Sequence, residues 1–131
     1  MIKIGLKGSA TRTVDESLTA KTMGSGTLDV FATPAMIALI EEAACACLSG
    51  HLEDGITTVG TLIHVQHTAA TPIGCTVRAE CEITEIDGRR YVFRVSAFDE
   101  CGPIGDGIHE RFAVDSAKFM QKTNKKSKQT N

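Results

Sequence analysis

The strongest apolar pattern in the chain predicts a buried helix. It covers Thr33–Leu48, where only Glu41 and Glu42 carry charge, and Ser49-Gly50 follows it directly. A threonine at the N-cap, a proline at the first helical position and a glycine past the end are usual start and stop signals. A helix that is apolar around most of its circumference is a buried one. We therefore expect a sheet, or a sheet and a partner chain, to surround it.

The segments after this helix have the patterns of β-strands. Ile56–His67 is rich in threonine and valine, and Cys75–Ile86 alternates between apolar and polar residues. Asp87-Gly88 is a hairpin turn signal that leads into a strand at Arg90–Phe98. We predict a last strand over about Gly107–Ala117.

The pattern before the helix is weaker. Thr11–Leu18 is threonine-rich and predicts a strand, and Thr22–Asp29 contains two glycines and predicts a loop. The order is then strand, loop, helix and four strands that can pair as an antiparallel meander. A single sheet curled around one helix is the economical arrangement. The pattern thus predicts an α+β chain with the outline of a hotdog fold.

Length and composition fit one domain. The chain has 131 residues, 42% of them hydrophobic and 23% charged, which suffices for one core but not for two. We assign the domain to residues 1–120. Five lysines and no acid follow Ala117, and removing these charges from the net charge of −2 leaves −7. We expect residues 121–131 to form a disordered basic tail. The alternative is that the lysines near Phe119 hold a phosphorylated ligand.

Charge, hydropathy and cysteine usage exclude several classes of protein. A net charge of −2 does not indicate the broad basic surface of a nucleic-acid binder. No segment reaches the roughly 18 apolar residues of a membrane span, and the N-terminus lacks a signal-peptide core. The five cysteines lack zinc-ligand spacing and suit a reducing compartment. We expect a cytoplasmic protein that binds neither nucleic acid nor membrane and needs no metal or other cofactor.

Two buried positions are candidates for chemistry. His67 shares the parity of every second residue from Val59 to Val65, which turns it toward the helix. It is either a core histidine bonded to a backbone carbonyl or, given the small polar residues that follow, part of a pocket. Glu41 lies in an apolar helical stripe, where a carboxylate either has a function or reaches water at the sheet edge. The sequence barely separates Glu41 from Glu42.

Three further residues have a structural and a functional interpretation. Thr33 is the expected N-cap, but a hydroxyl at a helix N-terminus also lies where backbone N–H groups favour a developing negative charge. Gly60 lies within a strand, which often indicates close approach of a ligand or backbone. We interpret Arg111 as a surface charge.

Several short motifs complete this picture: Val30-Phe31-Ala32-Thr33, Glu41 on an alanine- and cysteine-bearing helix, Val59-Gly60-Thr61, His67-Thr68-Ala69-Ala70-Thr71-Pro72, Gly88-Arg89-Arg90, Arg94-Val95-Ser96-Ala97 and His109-Glu110-Arg111. Together they resemble the fluoroacetyl-CoA thioesterase family of hotdog proteins. The resemblance implies a homodimer that hydrolyses acyl-CoA thioesters, with CoA entering as part of the substrate. It implies catalytic roles for Thr33, Glu41 and His67. It also implies that Gly60 lies near the thioester carbonyl and that Arg111 is a supporting contact.

The segment before the helix departs from this family. The fluoroacetyl-specific enzyme has a phenylalanine-bearing lid there, whereas residues 23–28 are short, glycine-rich and without an aromatic side chain. We therefore expect a different short acyl group, or a broad range of acyl groups.

The spacing along the helix predicts a composite site. Thr33 and Glu41 are eight residues apart, which is about 12 Å along one helix. A two-fold dimer with antiparallel helices would bring Thr33 of one chain near Glu41 of the other. We therefore expect the site at a dimer interface.

The sequence as a whole predicts an acyl-CoA thioesterase that hydrolyses a short-chain thioester to the free acid and CoA. Two alternatives remain open, a non-catalytic acyl-CoA-binding hotdog protein and a hotdog dehydratase. The sequence also does not distinguish CoA from an acyl-carrier protein as the carrier of the acyl group.

Overall fold

The computed structural model describes residues 1–128, which form one antiparallel sheet, a long helix and two further helices. The elements in chain order are β1 (Lys7–Thr13), a 3-10 turn (Glu16–Leu18), α1 (Ala20–Met23), α2 (Thr33–Leu48), β2 (Ile56–His67), β3 (Thr76–Asp87), β4 (Arg90–Asp99), β5 (Gly102–Asp115) and α3 (Ser116–Lys128). The predicted long helix and the strand Ile56–His67 are confirmed, and β3 and β4 agree with prediction to within one residue.

The five strands lie in the order β1-β3-β4-β5-β2, with antiparallel neighbours. The predicted four-strand meander is therefore wrong, because β2 pairs with β5 and not with β3. Residues 68–75 connect β2 to β3 and are too many for a tight hairpin turn. Alternation along a strand determines which face is buried but leaves the neighbouring strand open.

Helix α2 packs on the sheet, chiefly against β1 and β3. Its buried residues recur in pairs every four positions, as one face of a helix requires. These are Ala35, Met36, Leu39, Ile40, Ala43, Ala44, Cys47 and Leu48. A Cβ added to Gly8 of β1 would lie 2.5 Å from the Ala43 carbonyl oxygen, so the helix rests directly on the strand backbone. The other side of α2, including Ala38 and Ala46, is exposed.

Strand β1 lies earlier than the predicted strand Thr11–Leu18. The strand ends at Thr13, because Asp15 accepts a hydrogen bond from the Ser17 N–H at 2.9 Å and caps a 3-10 turn. Strand β5 begins at Gly102, five residues before the predicted start at Gly107. Glycines and a proline in this segment conceal the strand pattern.

The C-terminal segment differs from the predicted disordered tail. Residues 121–128 belong to helix α3, which begins directly after β5, and residues 129–131 lie outside the described residues. The Asp115 carboxylate accepts a hydrogen bond from the Lys118 N–H at 3.1 Å and caps this helix. The assignment of the domain to residues 1–120 stays a prediction. No helix within residues 1–128 has the length and hydropathy of a membrane span.

Candidate active site

Thr33 and His67 form a direct pair. Thr33 Oγ1 lies 2.7 Å from His67 Nδ1, which joins the first residue of α2 to the last residue of β2. The N-cap of α2 is Ala32, and no side chain caps the helix. The prediction that Thr33 is the N-cap is therefore wrong, because its hydroxyl bonds to the imidazole. We call these two residues the threonine–histidine pair.

The His67 ring is neutral at neutral pH. Burial lowers its pKa, against a smaller opposite effect of the Ala69 backbone. The Phe31 ring packs edge-on to it, with ring centroids 6.4 Å apart. Its buried Nε2 has no hydrogen-bond partner among the described residues. Thr33 Oγ1 thus contributes to the orientation of the ring through Nδ1.

A recess of about 280 Å³ opens at the threonine–histidine pair. Two segments flank it, the loop before α2 and the residues directly after β2. Most of its side chains are small, among them Ala20, Ser25, Ala69 and Ala70. The recess therefore has room for a small group beside the Thr33 hydroxyl.

Arg111 is the centre of a second polar cluster. Its side chain is 8% exposed, so the interpretation as a surface charge is wrong. Its Nε donates to Thr58 Oγ1 at 2.9 Å, and Nη2 donates to the Thr58 carbonyl at 3.1 Å. Its Nη1 donates to His109 Nε2 at 3.1 Å. The guanidinium is thus fixed on three sides.

Glu41 reaches this cluster, whereas Glu42 does not. Glu41 Oε2 lies 3.7 Å from Arg111 Nη1, and its side chain is 41% exposed. Glu42 lies on the outer side of α2 and pairs with Arg12 at 2.9 Å. The structure thus distinguishes the roles of Glu41 and Glu42, which the sequence alone hardly distinguishes.

Gly60 lets Glu41 and Arg111 approach the sheet. A Cβ added at Gly60 would lie 2.7 Å from Glu41 Oε2, 3.3 Å from His109 Cε1 and 3.4 Å from Arg111 Nη1. The register pairs Gly60 with Arg111 across β2 and β5, so both face inward. We call Glu41, Thr58, Gly60, His109 and Arg111 the arginine–glutamate cluster.

A register shift between Gly60 and Leu62 changes the parity of β2. Thr58 and Gly60 face inward before the shift, and Ile63, Val65 and His67 face inward after it. The prediction of one common inward parity from Val59 to Val65 is therefore wrong for the residues before the shift. The inward direction of His67 itself is confirmed.

His109 is a polar residue of this cluster that was not predicted as a site residue from the sequence. It is fully buried, and its ring stacks on Phe93 with centroids 5.9 Å apart. Nδ1 donates to the Leu62 carbonyl at 2.8 Å, and burial is the main effect that lowers the pKa of His109. The ring is therefore neutral and accepts from Arg111 through Nε2. The pattern that could have indicated its inward position is that His109, Arg111 and the buried Ala113 are alternate residues of β5.

The two groups lie apart within one chain. Thr33 and Glu41 occupy the first and ninth positions of α2, about 12 Å apart along its axis. Gly60 and His67 are roughly 20 Å apart along β2. No hydrogen bond or salt bridge within residues 1–128 connects the threonine–histidine pair to the arginine–glutamate cluster. Each chain therefore carries two separate polar groups.

The five cysteines, at positions 45, 47, 75, 81 and 101, are free thiols. Burial, more than the neighbouring Cys47, raises the pKa of Cys81 to about 12. In the part of the chain that the structure describes, no three side chains of metal-ligating type converge. The absence of a cofactor stays a prediction.

Comparison with known proteins relates this architecture to one family. The sequence model of the family described as fluoroacetyl-CoA-specific thioesterase (FlK) matches residues 14–117. The fluoroacetyl-CoA thioesterase of Streptantibioticus cattleyicolor is 43% identical over 99 residues, which cover 76% of this chain and 71% of that protein.

Solved structures agree with this relationship. A structure of the fluoroacetyl-CoA thioesterase FlK has a TM-score of 0.91 and 35% identity, and covers 96% of this chain and 98% of its own. A hot-dog-like protein from Thermanaerovibrio acidaminovorans has a TM-score of 0.84 at 22% identity, and the match covers 94% of this chain and 91% of that one. The latter likeness concerns the fold alone. The predicted hotdog fold is thus confirmed, and the chain belongs to the fluoroacetyl-CoA-specific thioesterase family.

Proposed function

We propose that this protein is an acyl-CoA thioesterase that hydrolyses a short-chain acyl-CoA to the free acid and CoA. The observation that carries the proposal is the contact of 2.7 Å between Thr33 Oγ1 and His67 Nδ1 at the wall of a small recess. A hydroxyl paired with a neutral imidazole is suited to acyl-transfer chemistry. The relative from Streptantibioticus cattleyicolor is a fluoroacetyl-CoA thioesterase, which supports the same reaction class here.

The acyl group that we propose is short and need not be fluorinated. The recess beside the pair has a volume of only about 280 Å³ and is bounded on one side by Val30 and Phe31, which supports a small acyl group. Residues 23–28, which precede α2, contain no aromatic side chain. We therefore propose a broader range of short acyl groups than fluoroacetyl alone.

The proposed reaction adds the elements of water across the thioester. The C–S bond breaks, and CoA leaves as a thiolate, a weak base that needs little protonation. Glu41 either attacks the carbonyl carbon to give an anhydride, which water activated by His67 then hydrolyses, or acts with His67 to activate water directly. Thr33 and the Gly60 N–H stabilise charge on the substrate, and Arg111 orients Glu41.

We further propose a homodimer with a composite site. Strand β2 lies at the edge of the sheet, where its outer backbone groups are available to a second strand. Antiparallel pairing of two β2 edges about an axis near Ile63 and His64 would set His67 of one chain beside Gly60 of the other. This arrangement joins the threonine–histidine pair of one protomer to the arginine–glutamate cluster of its partner.

The test measures release of CoA from a panel of acyl-CoAs, from acetyl-CoA to octanoyl-CoA. Cys45 and Cys101 are exposed free thiols that would react with a thiol reagent, so the released CoA is quantified by chromatography. We expect turnover of the short esters by the unmodified protein.

The free cysteines also support the proposed cytoplasmic location, because thiols stay reduced there.

Three variants separate catalysis from its alternatives. His67→Ala and Glu41→Ala should abolish turnover, whereas Glu42→Ala, the neighbouring acid on the outer side of α2, should retain it. Binding of acyl-CoA without turnover by the unmodified protein would favour the acyl-CoA-binding alternative. Conversion of a 3-hydroxyacyl-CoA to an enoyl-CoA without CoA release would favour the dehydratase.

A further inference from the structure

Helix α3 presents lysines that the proposed reaction does not use. Lys118, Lys122, Lys125 and Lys126 are exposed, and their spacing places them on one side of the helix. Together with Gln121 they line a surface recess of about 550 Å³. We call these four lysines the lysine face.

No carboxylate of the described residues forms a salt bridge with the lysine face. Among residues 1–127, whose side chains the structure describes, every salt bridge uses arginine as the cation. Helix α3 itself contains no acid. Like charges four residues apart repel each other and destabilise a helix. A bound anion would relieve this repulsion.

The rest of the chain is acidic. All sixteen acidic residues and nine of the fourteen lysines and arginines precede Ser116, so this part carries a formal charge of −7. A small polyanion is therefore repelled by most of the molecule and attracted to the lysine face. Over distances near the Debye length, roughly 8 Å in physiological salt, such a field guides a charged ligand to one place.

The start of α3 lies near the arginine–glutamate cluster. The Ser116 N–H donates to the Gly55 carbonyl at 2.9 Å, so α3 begins where β2 begins. Thr58, three residues beyond Gly55, holds the Arg111 guanidinium. Arg111 and Ser116 are about 17 Å apart along an extended strand, and the lysine face covers about 12 Å of helix.

We propose that the lysine face binds the 3′-phosphate and pyrophosphate of the CoA portion of the substrate. This inference rests on the proposed function. In CoA the phosphates and the thioester lie at opposite ends of the pantetheine arm, so a thioester at Glu41 and Arg111 directs the phosphates away from the reacting atoms. Lysine ammonium groups bind phosphate as point charges. The lysine face thereby distinguishes CoA from a carrier without a nucleotide.

The test compares an acyl-CoA with the acyl-pantetheine of the same acyl group, which lacks the nucleotide and its phosphates. In the quadruple variant Lys118→Gln, Lys122→Gln, Lys125→Gln, Lys126→Gln, KM for acyl-CoA should rise about tenfold, since exposed ion pairs are individually weak but add up. The value of kcat should not change, and both constants for acyl-pantetheine should stay as in the unmodified protein. Direct titration with CoA should show the same loss of affinity.

A matched pair of double variants provides the control. Lys122→Gln with Lys125→Gln should weaken CoA binding, whereas Lys3→Gln with Lys21→Gln, which removes the same charge from the body, should have a smaller effect. Equal affinity for CoA in the quadruple variant and the unmodified protein would overturn the proposal. So would a change in oligomeric mass with unchanged CoA affinity, which would indicate that the lysine face packs on a second copy. Binding of CoA through the lysine face without acyl-CoA turnover would overturn only the proposed function.

Discussion

His109 accepts a hydrogen bond from Arg111, with Nη1 and Nε2 3.1 Å apart. Its other ring nitrogen donates to the Leu62 carbonyl at 2.8 Å, so the single ring proton lies on Nδ1. A second proton on Nε2 would face the guanidinium and repel it. Burial, and to a lesser degree the charge of Arg111, lowers the pKa of His109 and keeps the ring neutral. His109 thereby positions Arg111 toward Glu41 and Gly60.

Replacement of His109 should therefore affect stability and turnover together. His109→Leu leaves the Leu62 carbonyl and one Arg111 N–H without partners in a buried place, which should cost about 1–3 kcal/mol of unfolding free energy. His109→Gln can offer its amide oxygen to Arg111 and should retain more of kcat/KM. Urea unfolding and steady-state kinetics check both variants. Equal kcat/KM for the two would show that the Arg111 contact does not matter to turnover.

The stability of the protein should fall as the pH decreases from about 7 to 5. Burial lowers the pKa of His67 and of His109 below the ordinary 6.5. At pH values below 6.5 the unfolded chain therefore binds protons that the folded chain does not, so stability rises with pH and is lost on acidification. The midpoint of thermal unfolding, measured across this range, checks the sign. His109→Gln should flatten the dependence.

Gly60→Ala should reduce activity more than stability. The new Cβ would lie 2.7 Å from Glu41 Oε2, the end of a flexible side chain that can move away. We expect a loss of unfolding free energy of about 1 kcal/mol or less, because the Glu41 carboxylate can move aside. We expect kcat/KM to fall by about tenfold or more, because this movement takes the carboxylate away from Arg111. Turnover at the level of the unmodified protein would contradict the proposed role of Glu41 and Gly60.

The elements with strong local signals could be predicted from the sequence. Helix α2 has an unbroken apolar pattern between clear start and stop residues, and Asp87-Gly88 favours a hairpin between β3 and β4. In both cases the determining interactions lie within a few residues of each other along the chain. His67 was also assigned to the inner face, because its parity with Ile63 and Val65 holds over the last part of β2.

The remaining features depend on contacts between distant segments. The pairing of β2 with β5 and the register shift near Gly60 have no local pattern, so the inward positions of Thr58 and Gly60 were not predicted. Arg111 resembles any surface arginine until Thr58 and His109 are known to surround it. Thr33 has the residue type of an N-cap, and its bond to His67 becomes visible only when the end of β2 meets the start of α2.

Substitution of Thr33 should separate the hydroxyl from the helix start. Thr33→Val keeps the side-chain shape but removes the hydrogen bond to His67, so kcat should fall by about a hundredfold if the pair takes part in catalysis. Stability should change little, since Ala32 is the N-cap and Thr33 makes no capping bond. A loss of about 1 kcal/mol or more in urea unfolding with full activity would instead indicate a capping role. Thr33→Ser should retain activity, because it keeps the hydroxyl.

Mixed dimers should reveal whether the site is composite. His67→Ala and Glu41→Ala chains are each expected to be inactive, but a dimer of one of each has one site with both residues intact if His67 of one chain works with Glu41 of the other. Random exchange makes half of the dimers mixed, and each has one working site of two, so refolding an equal mixture should restore about a quarter of the original activity.

The decisive control for this prediction mixes two variants of the same half. His67→Ala and Thr33→Val both damage the threonine–histidine pair, which lies within one chain, so their mixed dimer has no intact pair and should stay inactive. Sedimentation of each mixture establishes that dimers have formed. Recovery in the first mixture but not in this one requires Glu41 to act across the interface. No recovery in either, with dimers present, would mean that His67 and Glu41 serve the same chain, and the two-chain site would have to be abandoned.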